Sequence, residues 1–202
     1  MDNINLSPPL IFQDKFNFDL DKINPIVEEL MKDKDSGVYF SCEGSSRTTH
    51  GISIHKQPHF HPHNKLFVSW LGERIREIMR LWNEGDYPIY ITNSWYNEHK
   101  QGGWQNDHVH ALSRWSVSAY LDVPPNSGNI LFRDPLHELM RNSTSESAQN
   151  CWRIVPVSTG DVVIFPSWLR HRTEVSESTD RRLVWSLNIS YKKTTTEPVL
   201  YF

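Results

Sequence analysis

Beyond residue 87 the chain is cut into short stretches, each closed by a turn signal. They read PIYITNSWYN (88–97), RWSVSAYLDV (114–123), GNILFRD (128–134), CWRIVPV (151–157), GDVVIFP (160–166) and RLVWSLNISY (182–191). The punctuation is Gly102-Gly103, then Pro124 to Gly128, then Ser158 to Asp161. Short runs rich in β-branched and aromatic residues, parted by such turns, are strands. The polar stretch 141–150 (RNSTSESAQN) is expected to be a loop.

The first third reads differently. Residues 19–33 place Ile23, Ile26, Val27, Leu30 and Met31 on one helical face, with Pro25 expected in the first turn. Residues 64–83 do the same with Phe67, Trp70, Leu71, Ile75, Ile78, Met79 and Trp82, and Gly85 is the expected stop. Helices first and a run of strands after them predict a mainly β, α+β fold. It is an antiparallel sandwich or barrel braced by N-terminal helices.

Two strands have an unusual inner pattern. In 114–123, Ser116, Ser118 and Tyr120 alternate with Trp115, Val117, Ala119 and Leu121. In 182–191, Arg182, Ser186 and Asn188 share a face with Val184, opposite Leu183, Trp185, Leu187 and Ile189. Two polar strand faces in one sheet suit a barrel interior that binds a polar ligand. Arg182 on such a face has the forked donors to hold a carboxylate at two points, with Tyr120 as an added donor. The alternative for Arg182 is a surface ion pair with Glu177 or Asp180.

Three groups of histidines stand out among 10. His59, His61 and His63 lie between prolines and are expected in an exposed loop. His108 and His110 are two apart, so on a strand they point the same way, while Asp107 and Val109 point the other. His171 follows the apolar strand 160–166. Each group has an ordinary structural reading of its own. Taken together, His108, His110 and His171 form a three-point set of neutral imidazoles, which suits Fe(II), copper, nickel or zinc. It leaves coordination positions open for chemistry.

Composition narrows the classes. The chain has 202 residues, 8 Trp and a formal net charge of -3, enough to bury a core and without the basic field that holds nucleic acid. Cys42 and Cys151 show no zinc-finger spacing, and are expected as free thiols in a reducing, cytoplasmic setting, a single disulfide between them being the alternative. No apolar run spans a membrane, and the first residues lack the form of a signal peptide.

The segments SWYN (94–97), HVHALSRWSVSAYLDVPPNSGNILFRDP (108–135), GDVVIFPSWLRH (160–171) and RRLVWSLNIS (181–190) resemble the 2-oxoglutarate/Fe(II) oxygenase superfamily. The resemblance is nearest to its prolyl-hydroxylase-like branch and to small oxygenases of bacteria and phages. It implies a double-stranded β-helix, or jelly roll, with helices on its outer face. It also implies Fe(II) on His108, His110 and His171, and 2-oxoglutarate held by Arg182 and Tyr120, which Asn188 on the same polar face is expected to join, with dioxygen and an unidentified substrate as further partners. The implied division is a single domain over 1–202, with 1–85 as helical support and first strands, 86–192 as catalytic core and 193–202 as tail.

One departure stands out. The superfamily pattern is His-x-Asp, and here His110 takes the carboxylate's place. A rotated site using Asp107 or Asp134 is the alternative. Asn93, Trp95, Asn97 and Trp104 are expected to line the substrate mouth, or else to pack in the core, and Trp168 is expected to pack. The implied reaction is hydroxylation of a prolyl or other amino-acid residue. The competing readings are a three-histidine, cupin-like metal enzyme that does not use 2-oxoglutarate, and a non-catalytic β-sandwich binding module. Oligomeric state is not legible.

Overall fold

A computed structural model of the protein describes residues 10–33, 42–135 and 151–192. The expected loop at 141–150 and the tail at 193–202 lie outside them. Helix α1 spans Leu20–Leu30 and α2 spans Lys65–Leu81. The strands are β1 (Phe12–Lys15), β2 (Cys42–Glu43), β3 (Ser46–Thr48), β4 (Ile89–His99), β5 (Trp104–Gln105) and β6 (Trp115–Asp122). After them come β7 (Ile130–Arg133), β8 (Trp152–Val155), β9 (Asp161–Pro166), β10 (His171–Thr173) and β11 (Arg182–Tyr191).

Two expected helix boundaries shift. Pro25 sits inside α1, not in its first turn, because the helix already begins at Leu20. Helix α2 ends before Gly85, since Asn83 takes the left-handed backbone at φ 52. Asparagine visits that region more readily than most residues and stops the helix two positions early.

The main sheet has six strands in the order β1-β9-β6-β11-β4-β3, all antiparallel. A three-stranded sheet, β10-β7-β8, packs against its inner face, and β2 and β5 form a two-stranded ribbon. This is the jelly roll. The two faces of β6 and β11 part as their alternation predicts. Trp115, Val117, Ala119 and Leu121, with Leu183, Trp185, Leu187 and Ile189, join one core with the buried faces of α1 and α2. The Phe67 and Trp185 rings meet at 4.9 Å between their centroids. The opposite face contributes Tyr120 and Val184 to a second core with Ile130, Phe132, Val163, Phe165 and Leu169, between the sheets. The functional groups emerge on this inner face.

Arg181 faces the helical side. It donates to Asn24 at 2.6 Å and to Glu28 at 3.2 Å, tying α1 to the sheet. Strand β11 carries two register shifts, at Leu183/Val184 against β6 and at Asn188/Ile189 against β4. Bulges re-aim side chains, and these two lie beside the inward-facing Arg182 and Asn188.

The strands β5 and β10 have no counterpart in the sequence reading, and β1, β2 and β3 are foreseen only as first strands within 1–85 without positions of their own. They are two to four residues long. A segment that short cannot display an alternation, and pairing alone defines it.

Candidate active site

His108, His110 and His171 come together with their ligand atoms within 4.8 Å of one another. The expected strand at 108–110 is only a single bridge, His108 with His171. Mutual backbone hydrogen bonds of 3.0 and 3.1 Å hold that bridge, and the His110 amide donates to Ser167 O at 2.9 Å. The two-residue spacing still acts as foreseen: both rings turn inward while Val109 is exposed. Asp107 and Asp134 stay outside the cluster, each in an ion pair, with Arg170 at 3.1 Å and Arg153 at 3.2 Å. Neither carboxylate is among the ligand atoms that converge.

Each ring is oriented through Nδ1. His108 Nδ1 donates to Asn106 O at 2.7 Å and His171 Nδ1 to Leu169 O at 2.9 Å. A carbonyl can only accept, so both rings carry the hydrogen on Nδ1 and present a bare Nε2. His110 Nδ1 lies 3.2 Å from the Asn188 amide, which also meets Ser116 Oγ at 2.9 Å; Ser116 in turn meets Ser167 Oγ at 2.9 Å. As placed, the Asn188 NH2 faces His110 Nδ1 and its oxygen accepts from Ser116; exchanging the amide oxygen and nitrogen turns this chain of donors around, so that the NH2 donates to Ser116 and Ser116 donates to Ser167. Every hydrogen bond is kept, and His110 also presents a bare Nε2. Nε2 of His110 and of His171 are then 3.3 Å apart, lone pair toward lone pair. Such a pair repels unless a cation sits between them. Two imidazoles bound side by side to one ion, with bonds near 2.1 Å, bring their nitrogens about 3 Å apart. The donor set fits a metal.

The same cavity is lined by Arg182, Tyr120, His99, Thr173, Gln105 and Ser118, among others. Arg182 is 0% exposed. One of its terminal nitrogens donates to Gly128 O at 2.9 Å, while its Nε and the other terminal nitrogen are buried without a partner. The surface ion pair weighed for this residue is absent. Tyr120 is buried as well, and desolvation raises its hydroxyl above the ordinary range. A buried cation with two unpartnered nitrogens beside a hydroxyl fits an incoming carboxylate.

The remaining expected site residues divide. Trp95 and Asn97 line the cavity. Asn97 is fixed there, accepting from Thr48 at 2.7 Å and donating to Ser186 at 3.0 Å. Asn93 is not part of the cavity wall, and Thr92 donates to its side-chain oxygen. Trp104 lies on β5, outside the wall, where its neighbour Gln105 enters instead. Asn188 belongs to the His110 end and not beside Arg182. His59 and His63 lie in two short 3-10 turns with His61 between them, apart from the cluster, and His59 Nδ1 is 2.8 Å from Ser94 Oγ. Trp168, expected to pack, is half exposed.

Sequence reading missed His99. It follows Trp95 and Asn97 in the same alternation, but β4 was expected to end at Asn97, before the charged run Glu98-His99-Lys100. Extending the period by one step would have found it.

Burial keeps this group of histidines neutral. It pushes His110 down to about 3, helped by His108 and His50, and His99 down to about 3, helped by Arg182. His108 and His171 are lowered by burial too. In the unfolded chain each histidine titrates near 6.5, while in the folded metal-free protein it resists the proton. The stability they contribute is thus whole above about pH 6.5 and is lost as pH falls toward about 3. Metal-free protein should lose a few kcal/mol between pH 7.5 and pH 5.5, at up to about 1.4 kcal/mol for each such group per pH unit. Melting in chelator at the two pH values measures this; an unchanged midpoint contradicts it.

Among known proteins, residues 93–188 match the model of a family described as "Putative 2OG-Fe(II) oxygenase". No curated protein matches the sequence. Among solved structures, an oxidoreductase of the 2OG-Fe(II) oxygenase family from Burkholderia pseudomallei aligns at 14% identity and TM-score 0.55, over 85% of this chain and 77% of that one. HygX from Streptomyces hygroscopicus, with nickel, 2-oxoglutarate and hygromycin B bound, aligns at 14% and 0.56, over 90% and 83%. A prolyl-4-hydroxylase from Pseudomonas putida aligns at 11% and 0.56, over 91% and 93%. No helix among the described residues is long and apolar enough to cross a membrane.

Proposed function

From its distant kinship with the 2OG-Fe(II) oxygenases, we infer that this chain is a non-haem Fe(II) and 2-oxoglutarate-dependent dioxygenase with its iron on His108, His110 and His171. The observation that carries the reading is Arg182: a wholly buried cation, short of two hydrogen-bond partners, in the cavity that holds the three histidines. A three-histidine enzyme working without a dicarboxylate has little need of it.

Bound Fe(II) supplies oxidative decarboxylation of 2-oxoglutarate by dioxygen, giving succinate and carbon dioxide, and the oxidising power to hydroxylate a substrate C–H bond. The chain's own residues do the rest. Asn106 O, Leu169 O and Asn188 aim the three imidazoles through their Nδ1 atoms. Arg182 takes the far carboxylate of 2-oxoglutarate at two points, and Tyr120 adds a hydroxyl. Ile130, Phe165 and Val184 wall the cavity with apolar surface, which keeps water out and strengthens the charge interactions inside. His110 in the carboxylate's place leaves the metal with one more unit of positive charge, which favours an anionic co-substrate. Trp95, Asn97 and Gln105 face the substrate. The substrate is a small molecule or a residue such as proline, and the mildly acidic chain is not suited to nucleic acid. The free thiols Cys42 and Cys151 fit a reducing cytoplasm.

Anaerobic titration tests the reading. 2-Oxoglutarate should bind the Fe(II)-loaded protein and bind far more weakly after the metal is stripped. Aerobic incubation should then release succinate. Metal binding with no 2-oxoglutarate binding would overturn it and leave the three-histidine alternative.

A further inference from the structure

His99 has no part in the functional reading so far, yet it is 2% exposed and opens onto the same cavity. It pairs across the sheet with Arg182, and the guanidinium is near enough to act on its charge. Its Nδ1 is 2.8 Å from Ser46 Oγ, and among the described residues nothing engages Nε2. Ser46 Oγ is also 2.5 Å from Glu43 O. The hydroxyl has one hydrogen and two near acceptors for it, with Trp104 O a more distant third at 3.5 Å.

That leaves His99 two neutral forms. If Ser46 donates to Glu43 O, then His99 donates from Nδ1 to Ser46, and a bare Nε2 faces the cavity. This form suits the empty site, where the nearest charge is the Arg182 cation. If Ser46 donates to His99 Nδ1 instead, Nε2 carries the hydrogen and becomes a donor. This form suits a site holding a carboxylate between Arg182 and His99. The switch needs only a turn of the Ser46 hydroxyl and exchange of the ring hydrogen with solvent.

We propose that His99 is a third binding residue for the far carboxylate of 2-oxoglutarate, donating from Nε2 beside Arg182 and Tyr120, with Ser46 selecting the ring form that allows it. The proposal rests on the function inferred above. It also accounts for why a histidine is buried next to a buried cation, an arrangement that costs stability until an anion arrives.

The test is anaerobic calorimetric titration of nickel-loaded protein with two ligands, 2-oxoglutarate and oxalate. Oxalate can chelate the metal but has no far carboxylate. His99→Leu should weaken 2-oxoglutarate roughly ten-fold or more and leave oxalate unchanged, since a hydrogen bond to a charged group is lost only with the former. His99→Gln keeps an N–H donor and should recover most of the affinity. Ser46→Ala should weaken 2-oxoglutarate several-fold, again sparing oxalate. In parallel, the 15N resonance of His99 Nε2 should move from the position of a bare ring nitrogen to that of a protonated one when 2-oxoglutarate binds to zinc-loaded protein. Unchanged 2-oxoglutarate affinity in His99→Leu, an equal loss for both ligands, or a still resonance overturns the proposal. If His99→Leu does not fold, His99→Gln, Ser46→Ala and the resonance decide. Wild-type protein that binds oxalate but not 2-oxoglutarate would instead bring down the function itself, which is a different result.

Discussion

An Arg182→Met protein is expected to melt at a higher temperature than its parent and to have lost 2-oxoglutarate. Both halves come from one fact. The guanidinium is 0% exposed, has two nitrogens without partners, and gains one hydrogen bond, to Gly128 O. Each buried, unpaired polar group costs about 1–3 kcal/mol. Methionine keeps a stem of similar course and removes the charge, although it orphans Gly128 O. The net gain should be roughly 1–2 kcal/mol, or about 2–8 °C for a chain of this size. Binding should fall at least about 100-fold, because the far carboxylate would be buried without its counter-charge. Calorimetry on the metal-free protein reads the first effect, and anaerobic titration of the metal-loaded protein reads the second. A less stable variant that binds normally would show Arg182 to be a structural residue.

Replacing His171 by Ala is expected to empty the metal centre while the jelly roll persists. Structural zinc sites with four protein ligands are worth about 10–16 kcal/mol, so one ligand in such a set accounts for roughly 3 kcal/mol, or a loss of a hundred-fold or more in affinity. The fold should pay less, because the hole opens among Phe132 and Phe165, which pack on the ring and can relax into part of it. His61→Ala, in the turns away from the cluster, should leave metal binding as it is. Metal content after dialysis against a weak chelator distinguishes the two. Full retention of metal by His171→Ala would remove His171 from the site.

Much of this was legible in the residues, and what was not has identifiable causes. The period-two alternation of β6 and β11 gave both faces correctly, because each strand is long enough to repeat it four times or more. The same rule found Trp95 and Asn97 and stopped one step short of His99. Asn188 was assigned to the co-substrate from its face alone; only the bulge at Asn188/Ile189 and the position of His110 show which end of the cavity it serves. Trp104 and Gln105 exchanged roles because a two-residue strand carries no phase from which to choose between them. The pairing of His108 with His171 is a contact between distant segments, which spacing could suggest and only the fold could make.

The two-faced construction of β6 and β11 bears on how such a protein changes over generations. On the outer side a poor substitution weakens the grip on the helices, and folding itself rejects it. On the inner side folding loses less, and at Arg182 improves, when a working residue is lost. Only the organism's need for the reaction preserves Arg182, His99 and the three histidines. A lineage released from that need would shed them first and keep an intact, well-folded shell. A lineage with a new need would find the same shell free to be refitted from within.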